Sequence, residues 1–205
     1  TYIICPHIRR KFNHAKMHMI NDLRINPGHR FMYHTPQTEA CDNIYNYGLD
    51  EKYSKIGYLG HAIYLSEDVR KALTYAAKCN DSNGLYAVLG VDTLVGNPYV
   101  LSVNEYDRSL KMPPYGHNSI MAMLNINHDA FYQETAIYTR DQTMPSILFM
   151  YRKRRLGKNN TDVKLIEVNI AERFKMQMPK THVNNGYTIK NLRHITGHDV
   201  IKLVS

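Results

Sequence analysis

A change of pattern near residue 84, where helical spacing of apolar side chains gives way to strand-like segments, limits the folds open to this chain more than any other feature. Ile8, Phe12, Ala15, Met19 and Leu23 recur three or four residues apart, with Arg9, Arg10, Lys11 and Lys16 between them. That spacing predicts an amphipathic helix packed on the domain and ending before Asn26-Pro27-Gly28. After a short strand over 30–34, a second helix is expected with Thr35 as N-cap, Pro36 at its first position and Gly48 just past its end. Its inward residues are Ala40, Ile44 and Tyr47. A loop over 57–60 and a short strand over 63–65 lead to a third helix, capped by Ser66 with Glu67 and Asp68 in the first turn. That helix buries Val69, Ala72, Leu73 and Ala76. From Leu85 onward β-branched and aromatic residues predict strands over 85–94, 131–139 and 145–151, with further strand character over 161–170 and 200–204. Helices first and strands after imply an α+β fold.

At 205 residues and 43% hydrophobic content, the chain supports one core better than two. The expected division is one domain over 1–152 and a C-terminal extension over 153–205, either packed on the same domain or serving a partner. A formal charge of +8 and a pI near 9.3 attract phosphate-rich partners at long range. Nucleic acid is therefore kept as a possible partner behind a protein one. Cys5, Cys41 and Cys79 form no C-x-x-C pair and leave one thiol over in any bridging scheme, which suits a reducing, intracellular compartment. No apolar run reaches the roughly 18 residues of a membrane span. Arg152-Lys153-Arg154-Arg155 resembles a nuclear import signal, so nucleus and cytoplasm are the expected locations.

Several chemistries lack their motifs. His14 and His18 share a helix face, but Ala15 stands where a zinc-protease helix needs glutamate and no third ligand is evident, so no metal is expected. Neither a G-x-G-x-x-G nor a P-loop pattern occurs, and no G-x-S-x-G. What remains is a spread set of His, Tyr and Glu in three blocks. The first is Tyr33-His34-Thr35-Pro36, with Ile44 and Gly48-Leu49 following. The second runs from Gly57 through Tyr58-Leu59-Gly60-His61-Ala62-Ile63-Tyr64-Leu65-Ser66 to Lys71-Ala72 and Tyr75. The third is Phe131-Tyr132-Gln133-Glu134-Thr135-Ala136-Ile137-Tyr138, then Ser146-Ile147-Leu148.

In order and spacing these blocks resemble the poly(ADP-ribose) polymerase catalytic-domain family, the diphtheria-toxin-like ADP-ribosyltransferases of the H-Y-E type. The likeness covers about 31–151 of this chain. It implies an ADP-ribosyltransferase fold, in which two mixed or antiparallel sheets with flanking helices form a cleft for NAD⁺. It further implies NAD⁺ as co-substrate, no metal, and transfer of ADP-ribose to a protein or nucleic-acid acceptor. The catalytic set carried over is Glu134, Tyr64 and His34, and NAD⁺-binding positions are His34, Thr35, Tyr58, Tyr64, Lys71, Ala72 and Tyr75. In that scheme His34 meets the adenosine ribose and Tyr64 and Tyr75 enclose the nicotinamide ring. Glu134 binds a ribose hydroxyl beside the developing cation, and Lys71 keeps Glu134 ionised. The chemistry is coherent, because a cationic nicotinamide leaves without protonation through an oxocarbenium-like transition state.

Three positions depart from the family pattern. Thr35 and Ala62 stand where glycines are usual, and Ala72 where many members have serine. Thr35 and Ala72 motivate an alternative in which the fold is kept as a catalytically weak or inactive module that binds NAD⁺, ADP-ribose or a protein. The RNA 2′-phosphotransferase group relies on paired basic residues where this chain has Tyr64 and Glu134. The short stretch between Ser119 and Tyr132 leaves little chain for a second-nucleotide pocket, so single units or short chains of ADP-ribose are the expected product.

Overall fold

The computed structural model describes residues 3, 5–76, 84–102, 105–125, 131–156 and 160–165. In chain order its elements are α1 (Pro6–Asn21), β1 (His29–His34), α2 (Cys41–Tyr47), β2 (Ile63–Leu65), α3 (Val69–Ala76) and β3 (Leu85–Leu94). They are followed by β4 (Pro98–Leu101), β5 (Ser119–Asn125), β6 (Phe131–Ile137), β7 (Thr143–Leu156) and β8 (Asn160–Leu165). This is an α+β architecture of two four-stranded sheets, ordered β1-β3-β7-β8 and β2-β6-β5-β4. All pairings are antiparallel except β4 with β5.

Period-two alternation puts one face of each sheet inward. Met32, Leu89, Val91, Leu148 and Met150 of the first sheet meet Ile63, Leu65 and Ile137 of the second, and Cys41 and Ile44 of α2 close the same cluster. The sheets join where the chain passes close to itself: Tyr33 and Ser66 exchange backbone hydrogen bonds of 2.7 and 3.1 Å. α3 lies on the other face of the first sheet, with Ala72 against Tyr33, Val88 and Tyr151. α1 packs Phe12 and Met19 on Leu94 and Met144, as its apolar spacing requires.

The structure corrects several local expectations. The second helix begins with a 3₁₀ turn over Thr38–Ala40, so Thr35 is not its cap. Gly48, at φ 82°, stops it where the sequence indicates, its N–H donating to Ile44 O. Because Tyr47 is the last helical residue it is 64% exposed, and Cys41 takes the inward place. Leu23, expected on the first helix's inner stripe, lies past the helix end and is exposed. α3 starts only at Val69, so Ser66 is not its cap: the Ser66 hydroxyl donates to Gln133 O and accepts the Asp68 N–H at 3.1 Å, while Asp68 takes the Arg70 N–H at the start of α3. β4 and β5, not signalled by the sequence pattern, widen the second sheet. The boundary expected at 152/153 falls inside β7, and β8 extends the same sheet beyond it. Residues 166–205, with the strand expected over 200–204, lie outside the described residues.

Candidate functional site

On β6, Thr135 and Ile137 are buried with backbone register to Leu65 and Ile63, which leaves Glu134 and Ala136 on the opposite face. Tyr64 of β2 sits directly across from Ala136, so Tyr64 and Glu134 are diagonal neighbours on one face. α3 supplies the cover. Lys71 and Tyr75, four apart, share a side of that helix and both reach the Glu134 carboxylate. Lys71 Nζ donates to Tyr75 Oη at 3.0 Å, Tyr75 Oη donates to Glu134 Oε1 at 3.1 Å, and Lys71 Nζ stands 3.5 Å from the same oxygen. Lys71 and Glu134 are 1% and 3% exposed, whereas Tyr75 is open to solvent. Burial pushes the Lys71 ammonium below the usual lysine range, with the Glu134 charge opposing. Burial also pushes the Tyr75 hydroxyl up, and the Glu134 charge adds to it, so Tyr75 remains a neutral donor.

Tyr64 is held by the turn that precedes it. Its hydroxyl accepts from Leu59 N–H at 2.9 Å and donates to Gly60 O at 2.7 Å. Gly57 N–H donates to Gly60 O, His61 N–H to Leu110 O, and the Tyr138 hydroxyl to Leu59 O. Gly57 leaves the space for the ring: a Cβ there would fall 2.5 Å from Tyr64 Cζ. Burial raises the Tyr64 hydroxyl pKa well above the ordinary tyrosine value.

His34 ends β1 with Nδ1 2.8 Å from Tyr64 O. A carbonyl only accepts, so Nδ1 carries the hydrogen and a neutral ring presents Nε2 as an acceptor. Burial lowers the His34 pKa, the Tyr64 carbonyl opposing, which keeps the ring neutral near pH 7. The next residue, Thr35, donates its hydroxyl to Ala72 O at 2.6 Å, tying the end of β1 to α3. The Tyr58 ring packs against Tyr106 at 5.3 Å and under Arg108 at 5.0 Å, and Tyr58 lies near enough to Tyr75 to add to the upward push on that hydroxyl.

On its other side His34 lines a cavity of about 630 Å³ with Ile63, Ala40, Asn43, Ile44 and Tyr47. That volume is in the range of small-molecule sites, roughly 300–1,000 Å³. Its rim holds a charge network that the sequence did not suggest: Asp50 accepts from Arg140 at 2.8 Å and lies 3.2 Å from Lys52 Nζ. Asp50 and Arg140 are 90 residues apart and belong to no local motif, so no sequence signal could pair them.

Among the described residues no group of three or more His, Cys, Asp or Glu side chains is placed to hold a metal ion, and His18 instead pairs with Asp22 at 2.6 Å. Among the same residues no helix is long and apolar enough to cross a membrane. No protein-family model and no curated protein sequence matches the chain.

Proposed function

We propose that this chain is an NAD⁺-dependent ADP-ribosyltransferase with the ADP-ribosyltransferase fold, its dinucleotide cleft running from the His34 cavity to Glu134. The observation that carries the reading is the buried Lys71–Glu134 pair bridged by the hydroxyl of Tyr75, set beside Tyr64 and next to His34. A carboxylate held out of water by one cation and one neutral hydroxyl is a fixed negative charge in a low-dielectric place. Such a charge stabilises a developing cation far better than a solvated one does. NAD⁺ supplies that chemistry, since loss of nicotinamide leaves an oxocarbenium-like ribose. Glu134 faces this charge and a ribose hydroxyl, Tyr64 and Tyr75 receive the nicotinamide ring, and the acceptor Nε2 of His34 takes a hydroxyl of the adenosine ribose. The adenosine end fits the adjoining cavity. Thr35 and Ala72 border the carboxamide, and Tyr58, packed with Tyr106 and Arg108 and close to Tyr75, completes the dinucleotide-binding set. The acceptor is a protein or nucleic acid, and Cys5 and Cys41, neither in a disulfide, fit a reducing nuclear or cytoplasmic setting.

Glu134→Gln is the direct test. The amide keeps the shape and an acceptor oxygen for Tyr75 while removing the charge. Transfer from labelled NAD⁺ is expected to fall by at least about 10²-fold with NAD⁺ affinity changed little, as read by calorimetry. Unaltered transfer in this variant would refute the assignment of Glu134.

A second reading, a binding module with little turnover, is favoured by one observation. The Thr35 hydroxyl is committed to Ala72 O, so two of the departures from the family pattern are joined across the place expected for the carboxamide. Wild-type protein that binds ADP-ribose but releases no nicotinamide would establish it.

A further inference from the structure

Charge is unevenly spread over this molecule. α1 carries Arg9, Arg10, Lys11 and Lys16 in 16 residues with no Asp or Glu, against a net charge of +8 for the whole chain. Arg9, Arg10 and Lys11 are exposed and Lys16 is half-buried. Among the described residues none of the four pairs with a carboxylate. Nearby acidic groups are held by other side chains or sit in a recess: Asp22 by His18, Asp92 by His29, whose ring packs on Phe12, and Asp141 in a small recess with His7 and Lys11. Exposed and without a carboxylate partner, these cations repel one another and leave a positive field over α1 that is open to an anionic partner.

We infer that α1 is a docking surface for the phosphate backbone of a nucleic acid. The outward positions between the cations are Asn13, His14 and Asn21, all exposed and all able to donate to phosphate or sugar oxygens. An amphipathic helix inserted in a bilayer surface would require a free apolar face, and the apolar stripe of α1 is already spent inside on Ile8, Phe12 and Met19; electrostatic attachment alone to an anionic bilayer is separated by the vesicle arm of the test. Exposed Met17 and Ile20 lie only toward its C-terminal end. At 1.5 Å per residue, Arg9 to Lys16 spans about 10 Å, comparable to about three phosphates along one strand. The surface also leads toward the candidate site: Tyr47, Gly48 and Arg140 line both the recess beside Lys11 and the large cavity. Binding here is independent of the transferase reading.

The test is fluorescence anisotropy of the full chain with labelled single- and double-stranded oligonucleotides between about 50 and 200 mM salt. Log affinity is expected to fall linearly with log salt. The variant Arg9→Gln, Arg10→Gln, Lys11→Gln, Lys16→Gln is expected to bind at least about tenfold more weakly at the low-salt end, with a slope shallower by about 0.7–0.9 for each phosphate no longer neutralised. Circular dichroism and thermal unfolding confirm its fold, and the double variant Arg9→Gln, Arg10→Gln gives an intermediate loss if the quadruple one is unstable. Three results would overturn the inference: no oligonucleotide binding by the wild type at low salt, equal binding by the variants, or binding to phosphatidylserine vesicles with none to oligonucleotides.

Discussion

Lys71 and Glu134 are opposite charges taken almost entirely out of water, and such a pair persists only where hydrogen bonds satisfy what the Coulomb attraction does not. The Tyr75 hydroxyl does this, taking the ammonium proton on one side and giving its own to the carboxylate on the other. The shifts make a pH prediction with a definite sign. Lys71 titrates below the ordinary lysine value of 10.5, because burial disfavours its charged form. Raising the pH therefore removes the cation beside Glu134 before an ordinary lysine would respond. Tyr75 is shifted upward and is not the titrating group. Transfer is expected to decline along an alkaline limb below pH 10.5, and Lys71→Met is expected to lack that limb. A wild-type rate unchanged to pH 10.5 would contradict the shift. Stability runs the other way. Below the folded pKa the buried charge is present in full and costs stability, and that cost is relieved as pH rises from the folded value toward 10.5.

Among the elements, the turn before β2 and the helix after it set the site. The turn grips Tyr64 through Leu59 and Gly60, and Gly60, at φ 81°, lies so near Leu110 that a Cβ would fall 1.9 Å from its carbonyl oxygen. Neither side has slack. A methyl at Gly57 would press on a ring whose hydroxyl is already tied twice, and overpacking of this kind costs about 1–3 kcal/mol. Gly57→Ala is expected to lower the unfolding temperature and to raise KM for NAD⁺ more than it lowers kcat, since in the proposed scheme Tyr64 encloses the nicotinamide ring and breaks no bond itself. Steady-state kinetics with a thermal melt checks both, and a variant matching the wild type in each would show that the ring shifts freely. α3 is tied at its middle by Thr35, a single neutral hydrogen bond worth about 0.5–1.5 kcal/mol.

For the whole molecule, the two sheets share the work. The first supplies His34 at a strand end, the second supplies Tyr64 and Glu134, and the Tyr33–Ser66 exchange holds the two in place. The second sheet also bears on the product. β5 and β6 pair in continuous register from Ser119–Ile137 to Asn125–Phe131, so residues 126–130 alone connect them. A connection that short offers little backbone for a pocket that would hold a second ADP-ribose as acceptor. Products under excess NAD⁺ are expected to carry single ADP-ribose units or very short chains. Size separation with mass spectrometry of the acceptor reads this directly, and long glycohydrolase-sensitive polymer would contradict it.

Features that depend on neighbours along the chain are legible in the amino-acid order. The α+β class, the inward stripe of Ile8, Phe12 and Met19, the stop at Gly48 and the strand over 85–94 all follow from side-chain period and backbone preference. The blocks around His34, Tyr64 and Glu134 stand out as candidates through their order and spacing as a set, which resembles a known family, since each taken singly has an ordinary explanation. Which of them meet is settled by packing. Register on β6 sets Glu134 on the face of Tyr64, and the seating of α3 brings Lys71 and Tyr75 to the same oxygen. Packing also turns Thr35 from an expected helix cap into a tie to Ala72, leaves Tyr58 with Tyr106, and joins Asp50 to Arg140 across 90 residues. Local propensity cannot encode these outcomes. A cap and a cross-element tie use the same hydroxyl, and only the arrangement of the sheets and helices decides which partner stands within reach.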